Sequence, residues 1–190
     1  MRVTREQAQQ NRQRVVEVAA KLFRERGIGG IGLAELMKAA GLTHGGFYGQ
    51  FKSKDDLVAH AAGLAMEESR ATWLDAAARS HEDPLAAMVA AYVSTSHRDN
   101  KGGGCAIPSL GAEVARGAPE ARHTLTQGIE RMLDLLEEAA PGDTAMERRE
   151  AAMAALASMV GAIVLSRAVD SEKLSKQVLR AVRTQWGAPP

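Results

Sequence analysis

Apolar residues over 6–26 recur at Val15, Val18, Ala19, Leu22 and Phe23. That 3.6-residue period predicts an amphipathic helix with one buried stripe. Gly27 follows as a C-terminal cap, and residues 28–32 form a loop with three glycines. Residues 33–40 repeat the pattern on a smaller scale, with Leu33, Leu36 and Met37 on one face, until Gly41 breaks it. Thr43 is placed to cap a second short helix reaching Gln50. Ser53 is placed to cap a longer helix reaching Arg79, with Asp55 and Asp56 in a first turn whose dipole favours them.

The rest of the chain keeps the helical period. Asp83-Pro84 is a cap and first-turn pair that opens a helix to His97. Residues 101–104 are a glycine-rich loop, and Pro108 starts a short helix that Gly117 closes. Residues 119–140, 144–169 and 172–186 complete the set, the first of them ended by Pro141-Gly142. No segment alternates with the β-branched enrichment of a strand. The pattern predicts an all-α fold. It comprises an N-terminal three-helix bundle with a helix-turn-helix over 1–54, then a larger helical bundle over 55–190. Aromatic residues are only 4% of the chain, so Ala, Leu, Val and Met must build the core.

Charge divides the chain at the same place. Residues 1–54 carry ten Lys and Arg against four Asp and Glu, a net of +6; residues 55–190 carry 14 against 19, a net of −5. A basic segment beside an acidic remainder points to a polyanionic partner. The single cysteine, Cys105, excludes an intramolecular disulfide and a cysteine-based zinc site, and it suits a reducing compartment. The polar opening MRVTREQAQQNRQR is unlike a signal peptide. The longest apolar run, 151–165, is Ala-rich and shorter than the roughly 20 residues of a spanning helix. A buried helix, no membrane partner and a cytoplasmic location are expected.

The informative segment is 33–54. LAELMKAA, a Gly41-Leu42 turn and THGGFYGQF have the size and punctuation of a helix-turn-helix, whose second helix enters the major groove. Gly45 and Gly46 cost that helix roughly 1 kcal/mol each against Ala. Glycines at a groove-facing end let the backbone approach a duplex closely. Phe47 and Phe51, four apart, can pack inward, leaving Tyr48 and Gln50 to project elsewhere. Lys52, Lys54 and the next helix N-terminus suit phosphate.

AGLTHGGFYGQFKSKDDL resembles the signature of the TetR family of bacterial transcriptional regulators, and the likeness extends upstream through LAELMKAAG and AAKLFRERG. It departs at Ile31-Gly32, where the family usually has a Thr or Ser cap. The resemblance implies a DNA-binding transcriptional regulator, a repressor released from operator DNA by a small-molecule or electrophile effector. It implies that Thr43 caps the recognition helix and touches phosphate. His44, Gly45 and Gly46 then face base edges, Tyr48 and Gln50 reach the backbone, and Lys52 and Lys54 add charge, with Lys54 on a phosphate. It also implies a ligand cavity in the larger bundle, for which Leu64, Met66, Trp73, Met88, Tyr92, Leu110 and Met132 are candidates.

A single helix-turn-helix makes few base contacts, so a homodimer is expected. Small residues such as Ala152 permit close helix approach, and Met153, Leu156, Val160, Ile163 and Val164 supply apolar area. The five histidines are dispersed, with no i, i+4 pair, so no metal site and no cofactor are expected. No hydrolase or phosphate-loop motif is present. An activator of the same fold and a helical enzyme are the alternatives, the second poorly supported. Cys105, after three glycines and just before a helix, is a candidate sensing thiol: the dipole with His97, Arg98 and Lys101 would favour its thiolate. A small buried hydrophobe is the competing role.

Overall fold

The structure, a computed structural model, describes residues 4–80 and 82–189; His81 and the first three residues of the polar opening lie outside it. Among the described residues there are nine α-helices, one 3-10 turn and no strand. The helices are α1 (Arg5–Arg26), α2 (Leu33–Ala39), α3 (Lys54–Ala78), α4 (Pro84–Tyr92), α5 (Thr95–Asp99), α6 (Ala106–Arg116), α7 (Pro119–Ala139), α8 (Ala145–Ala168) and α9 (Glu172–Gln185). The all-α expectation holds.

Local chemistry sets the ends. Thr4 Oγ1 accepts the Gln7 N–H at 3.2 Å to start α1, and Gly27 ends it. Ser53 starts α3 in the same way through the Asp56 N–H. At Thr144 and Glu147 the side chains and backbones bond reciprocally to start α8, a capping box. Gly32 precedes α2 without any side-chain cap bond. Gly41, at φ +72°, makes the turn out of α2 in the left-handed region that a side chain would strain.

Three expected helices differ. Residues 43–50 form a 3-10 turn, His44–Gly46, followed by further turns, and Thr43 makes no side-chain cap bond. Three glycines among eight residues remove the propensity an α-helix needs. The Phe47 N–H bonds to His44 O, and the Gln50 and Phe51 N–H groups share Phe47 O, so the segment stays wound. The helix expected from Pro84 to His97 breaks at Val93; Ser94 then caps α5 by accepting the His97 N–H. The helix expected from Pro108 starts at Ala106 with Cys105 as its N-cap residue. Pro108 stands in the first turn, where no N–H is needed.

Packing runs through one continuous core. α3 is its axis, lying against α1, α4 and α7; α8 packs between α7 and α9. Phe23, Leu36, Phe47 and Leu57 join the helix-turn-helix to this core, and Met88, Met132 and Ile163 extend it through the larger bundle. α8 is long and apolar enough, by length and composition, to cross a membrane. A buried helix is expected there, and the chain itself covers one side of it. Ala152, Leu156 and Ile163, expected at a dimer interface, are buried within the chain's own core. Met153 (49% exposed) and Val164 (41%) face out, and Val160 is half-buried between the two faces.

Candidate DNA interface and effector cavity

The basic end presents a small polar surface on an apolar base. Phe47 and Phe51 are buried and stacked at 5.4 Å, which fixes the turn above them. Thr43, His44 and Gly45 are exposed, and Gly46 is half-buried. Tyr48 is 66% exposed, its ring edge-on to Phe47 at 5.2 Å. Lys52 is exposed. Gln50 is half-buried, with an Oε1 that is buried and unpartnered.

Lys54 departs from expectation. Its ammonium turns inward and donates to Ile28 O at 2.6 Å and Ile31 O at 2.7 Å. The glycine-containing loop after α1 offers these carbonyls, and Lys54 is the cation that satisfies them. Its side chain is therefore engaged within the fold rather than offered to phosphate. The same loop is held from the larger bundle, since Glu113 on α6 accepts the Ile28 N–H at 2.9 Å and the Gly29 N–H at 3.3 Å.

A cavity of about 240 Å³ lies between α3, α4, α5 and the turn before α6. Its walls are Ser69, Thr72, Trp73, Ala91, Tyr92, Ser94, Ser96, His97, Asn100, Gly103, Gly104 and Cys105. Of the candidates read from sequence, Trp73, Tyr92 and Cys105 meet there. Met66, Met88, Leu110 and Met132 are instead packed in the core, and Leu64 is half-buried against it. The polar walls come from three separate elements, which no single stretch of sequence brings together. One signal was available: Ser69 interrupts the apolar stripe Ala62, Met66, Trp73 at helical spacing and is buried.

Hydrogen bonds lock this wall. His97 Nδ1–H donates to Tyr92 O at 2.7 Å, so Nε2 is the lone-pair nitrogen that accepts the Cys105 N–H at 3.0 Å. Burial lowers the His97 pKa to about 4, against the opposing Tyr92 carbonyl bond, so the ring is neutral. Arg24 of α1 is buried, donates to Gly104 O at 2.7 Å and pairs with Glu68 at 2.9 Å. It thereby ties α1 to the cavity wall. Its place after Val16 and Ala20 at four-residue steps marks it, in retrospect, as a polar group on a buried face.

The favoured thiolate expected at Cys105 is not supported. The residue is 2% exposed, and burial raises the thiol pKa above its ordinary value. The Tyr92 hydroxyl, the Ile107 N–H, the Ser69 hydroxyl and the Arg24 charge oppose that shift without overcoming it. Of the neighbours expected to help, His97 is neutral and Arg98 is paired with Asp99 and Glu172. The Tyr92 hydroxyl is buried beside the Cys105 thiol, and its pKa is pushed well up, first by burial and then by Cys105.

Comparison with known proteins adds the family. A model described as bacterial regulatory proteins, tetR family, matches residues 15–61. A second, the tetracyclin repressor-like C-terminal domain, matches residues 82–182, more than half of the chain. The chain belongs to the TetR family. The TetR family comprises transcriptional regulators rather than enzymes. The HTH-type transcriptional regulator AcrR of Shigella flexneri is 36% identical over 87 residues, 46% of this chain and 40% of that protein. TtgR of Pseudomonas putida is 34% identical over 93 residues, 46% of this chain and 42% of that protein. These matches span less than half the length of either relative. Among solved structures, a TetR regulator from Chloroflexus aurantiacus superposes with a TM-score of 0.78 at 24% identity, covering 94% of this chain and 95% of that one. E. coli NemR in its reduced form superposes at 0.75 and 21% identity, covering 92% and 96%. At these identities the superpositions speak for the TetR fold alone.

Proposed function

We propose that this chain is a transcriptional repressor that binds duplex operator DNA in the cytoplasm as a homodimer and is released by a small-molecule effector. Residues 1–54 are the DNA-binding domain and residues 55–190 the effector-binding and dimerisation domain, with α3 running from one to the other. The observation that carries the reading is the 43–50 segment. It presents exposed His44, Gly45 and Tyr48 on a base fixed by Phe47 and Phe51, and a Cβ on Gly45 would meet nothing within 4 Å. Thr43, His44, Gly45, Gly46, Tyr48, Gln50 and Lys52 are the proposed DNA contacts, with Lys54 supporting the fold beneath them. The dimer forms on the outer face of α8, where Met153, Val160 and Val164 flank small residues and Leu165 is exposed beside them.

The effector binds the cavity at Trp73, Tyr92 and Cys105 and favours a state in which the paired helix-turn-helix units no longer match successive major grooves. Two links support such coupling: Arg24 to Gly104, and Glu113 to the loop before α2. The test is fluorescence anisotropy on duplexes tiled from the DNA upstream of the chain's own gene, beside random duplexes, across a salt series. Selective binding that weakens steeply with salt is expected. His44→Ala shifts base preference, and Val164→Arg gives monomers in sedimentation with weakened operator binding. Equal affinity for every duplex overturns the proposal.

A further inference from the structure

We propose that Arg24 is the positioning residue through which the cavity acts on the DNA-binding end, and that the glycine turn 102–104 is the part that moves against it. The inference rests on the repressor reading given above and names the contact that regulates it.

The turn has two sides. Toward the cavity, Asn100, Gly103, Gly104 and Cys105 form one wall. Toward the DNA-binding domain, Gly102 is buried against α1, where a Cβ would come within 2.5 Å of Glu25 Oε1 and 3.0 Å of Lys21 Cγ. A single stretch of backbone therefore separates the cavity from α1.

That backbone has no slack. The Gly103 N–H donates to Asn100 Oδ1 at 3.1 Å, the Gly104 N–H to Lys101 O at 3.3 Å and the Cys105 N–H to His97 Nε2 at 3.0 Å. The His97 ring backs the turn, 2.7 Å from where a Gly104 Cβ would stand, and is itself held by Tyr92 O. Close-packed elements shift between discrete arrangements rather than deform, so a displaced wall carries its neighbours with it.

Arg24 makes the joint to α1 specific. It is 5% exposed. Its Nε donates to Ala20 O at 2.9 Å, which fixes the guanidinium on its own helix. Nη1 donates to Gly104 O at 2.7 Å, and Nη2 to Glu68 on α3 at 2.9 Å. The preceding residue, Phe23, shares the core with Phe47 and lies 5.8 Å from the Lys54 ammonium. Successive residues of one helix thus reach the cavity wall and the base of the 43–50 segment. An occupant that displaces the wall must break or drag the Arg24 bond. By reciprocity, an α1 held on operator DNA keeps that bond closed.

The experiment is hydrogen exchange on the full chain, free and saturated with the duplex it selects from the DNA upstream of its own gene. Exchange is read at the 103–105 amides. The Asp143 and Thr144 amides, bonded to Glu147 outside the cavity lining, are the reference. In wild type the duplex is expected to slow exchange at 103–105 about tenfold, within the usual range of coupling between sites, and to leave the reference unchanged. In Arg24→Met the slowing is lost. Arg24→Lys keeps a charge beside Glu68 but cannot bond Ala20 O, Gly104 O and Glu68 together. It gives the same loss and is the variant read if Arg24→Met does not fold. Glu68→Gln alters an exposed side chain that still offers Arg24 an acceptor, and it keeps the slowing. A merely structural Arg24 would raise the free rates and lower the urea midpoint but leave the duplex-induced ratio at its wild-type value. The proposal is overturned if the selected duplex binds wild type without slowing 103–105 or if the reference slows equally. It is overturned as well if the slowing survives in an Arg24 variant or is lost in Glu68→Gln. Equal affinity for every duplex instead overturns the repressor reading, and this inference with it.

Discussion

Gly45 and Gly104 stand in two glycine-rich turns with opposite surroundings. A Cβ on Gly45 would point into open space, with His44 and Tyr48 exposed beside it. A Cβ on Gly104 would come within 2.7 Å of the His97 ring and 3.1 Å of Asn100 O. The His97 ring cannot yield, because both its nitrogens are bonded. Gly104 is thus needed by the protein's own interior, where backbone, imidazole and Arg24 converge. Gly45 answers no internal demand, and its absent side chain leaves room for something outside the chain. The same residue type meets a packing requirement in one turn and, on the proposed reading, leaves room for the duplex in the other.

The comparison is sharpened most by the ring that Gly104 packs against. With the His97 pKa lowered to about 4, the unfolded chain gains a proton below its ordinary 6.5 that the folded chain does not. Stability from this group is full above pH 6.5 and is lost as pH falls toward 4, by up to ~3 kcal/mol. Urea unfolding across that window should slope more steeply in wild type than in His97→Gln; parallel slopes would contradict the assigned neutral ring. Gly104→Ala forces overpacking and should lower the unfolding free energy by about 2 kcal/mol, seen as an earlier urea midpoint. An unshifted midpoint would show that the two turns are alike after all.

Lys54 tests the boundary between the regions. Lys54→Met strips two carbonyls of their partner and should cost about 2 kcal/mol of stability, while the salt dependence of operator binding stays as it is. Unchanged stability with a flatter salt slope would return Lys54 to the DNA surface. Gly45→Ala has the smallest effect on the fold, within ~0.5 kcal/mol, because its Cβ meets nothing. Operator affinity should nevertheless fall about tenfold, the scale of one lost base contact. Full affinity in that variant would break the comparison from the other side.

Much of the architecture was legible in the chain because its causes are local. The stripe of Val15, Ala19 and Phe23, the caps at Ser53 and Thr144, and the Gly41 turn depend on residues within a few positions of each other. Where local signals were misread, a short-range rule was outweighed by another. Thr43 stands where a cap belongs, but glycines at 45, 46 and 49 leave too little helix propensity to cap. Pro108 suggests a helix start, although a proline is equally at home later in the first turn. The cavity was less legible. Trp73, Tyr92 and Cys105 stood out as large or reactive, whereas Ser69, Thr72, Ser94 and His97 look like ordinary helix-surface residues until the fold closes on them.

By itself the sequence determined the helical class, the helix-turn-helix and its aromatic base, and with them membership of the TetR family. The class and the turn follow from periodicity, capping and turn chemistry, which act over one or two helical turns, whereas the family follows from the likeness of residues 40–57 to its signature. Tertiary structure alone decided where long side chains and shared faces went. It turned Lys54 toward Ile28 and Ile31, carried Arg24 to Gly104, and buried Cys105 so that desolvation outweighs the helix N-terminus. It also divided α8, placing Ala152, Leu156 and Ile163 inside while leaving Met153 and Val164 outside. An apolar stripe all around a helix does not say which side the chain itself will cover. That depends on which neighbours arrive, and they come from dozens of residues away, beyond the reach of any local pattern.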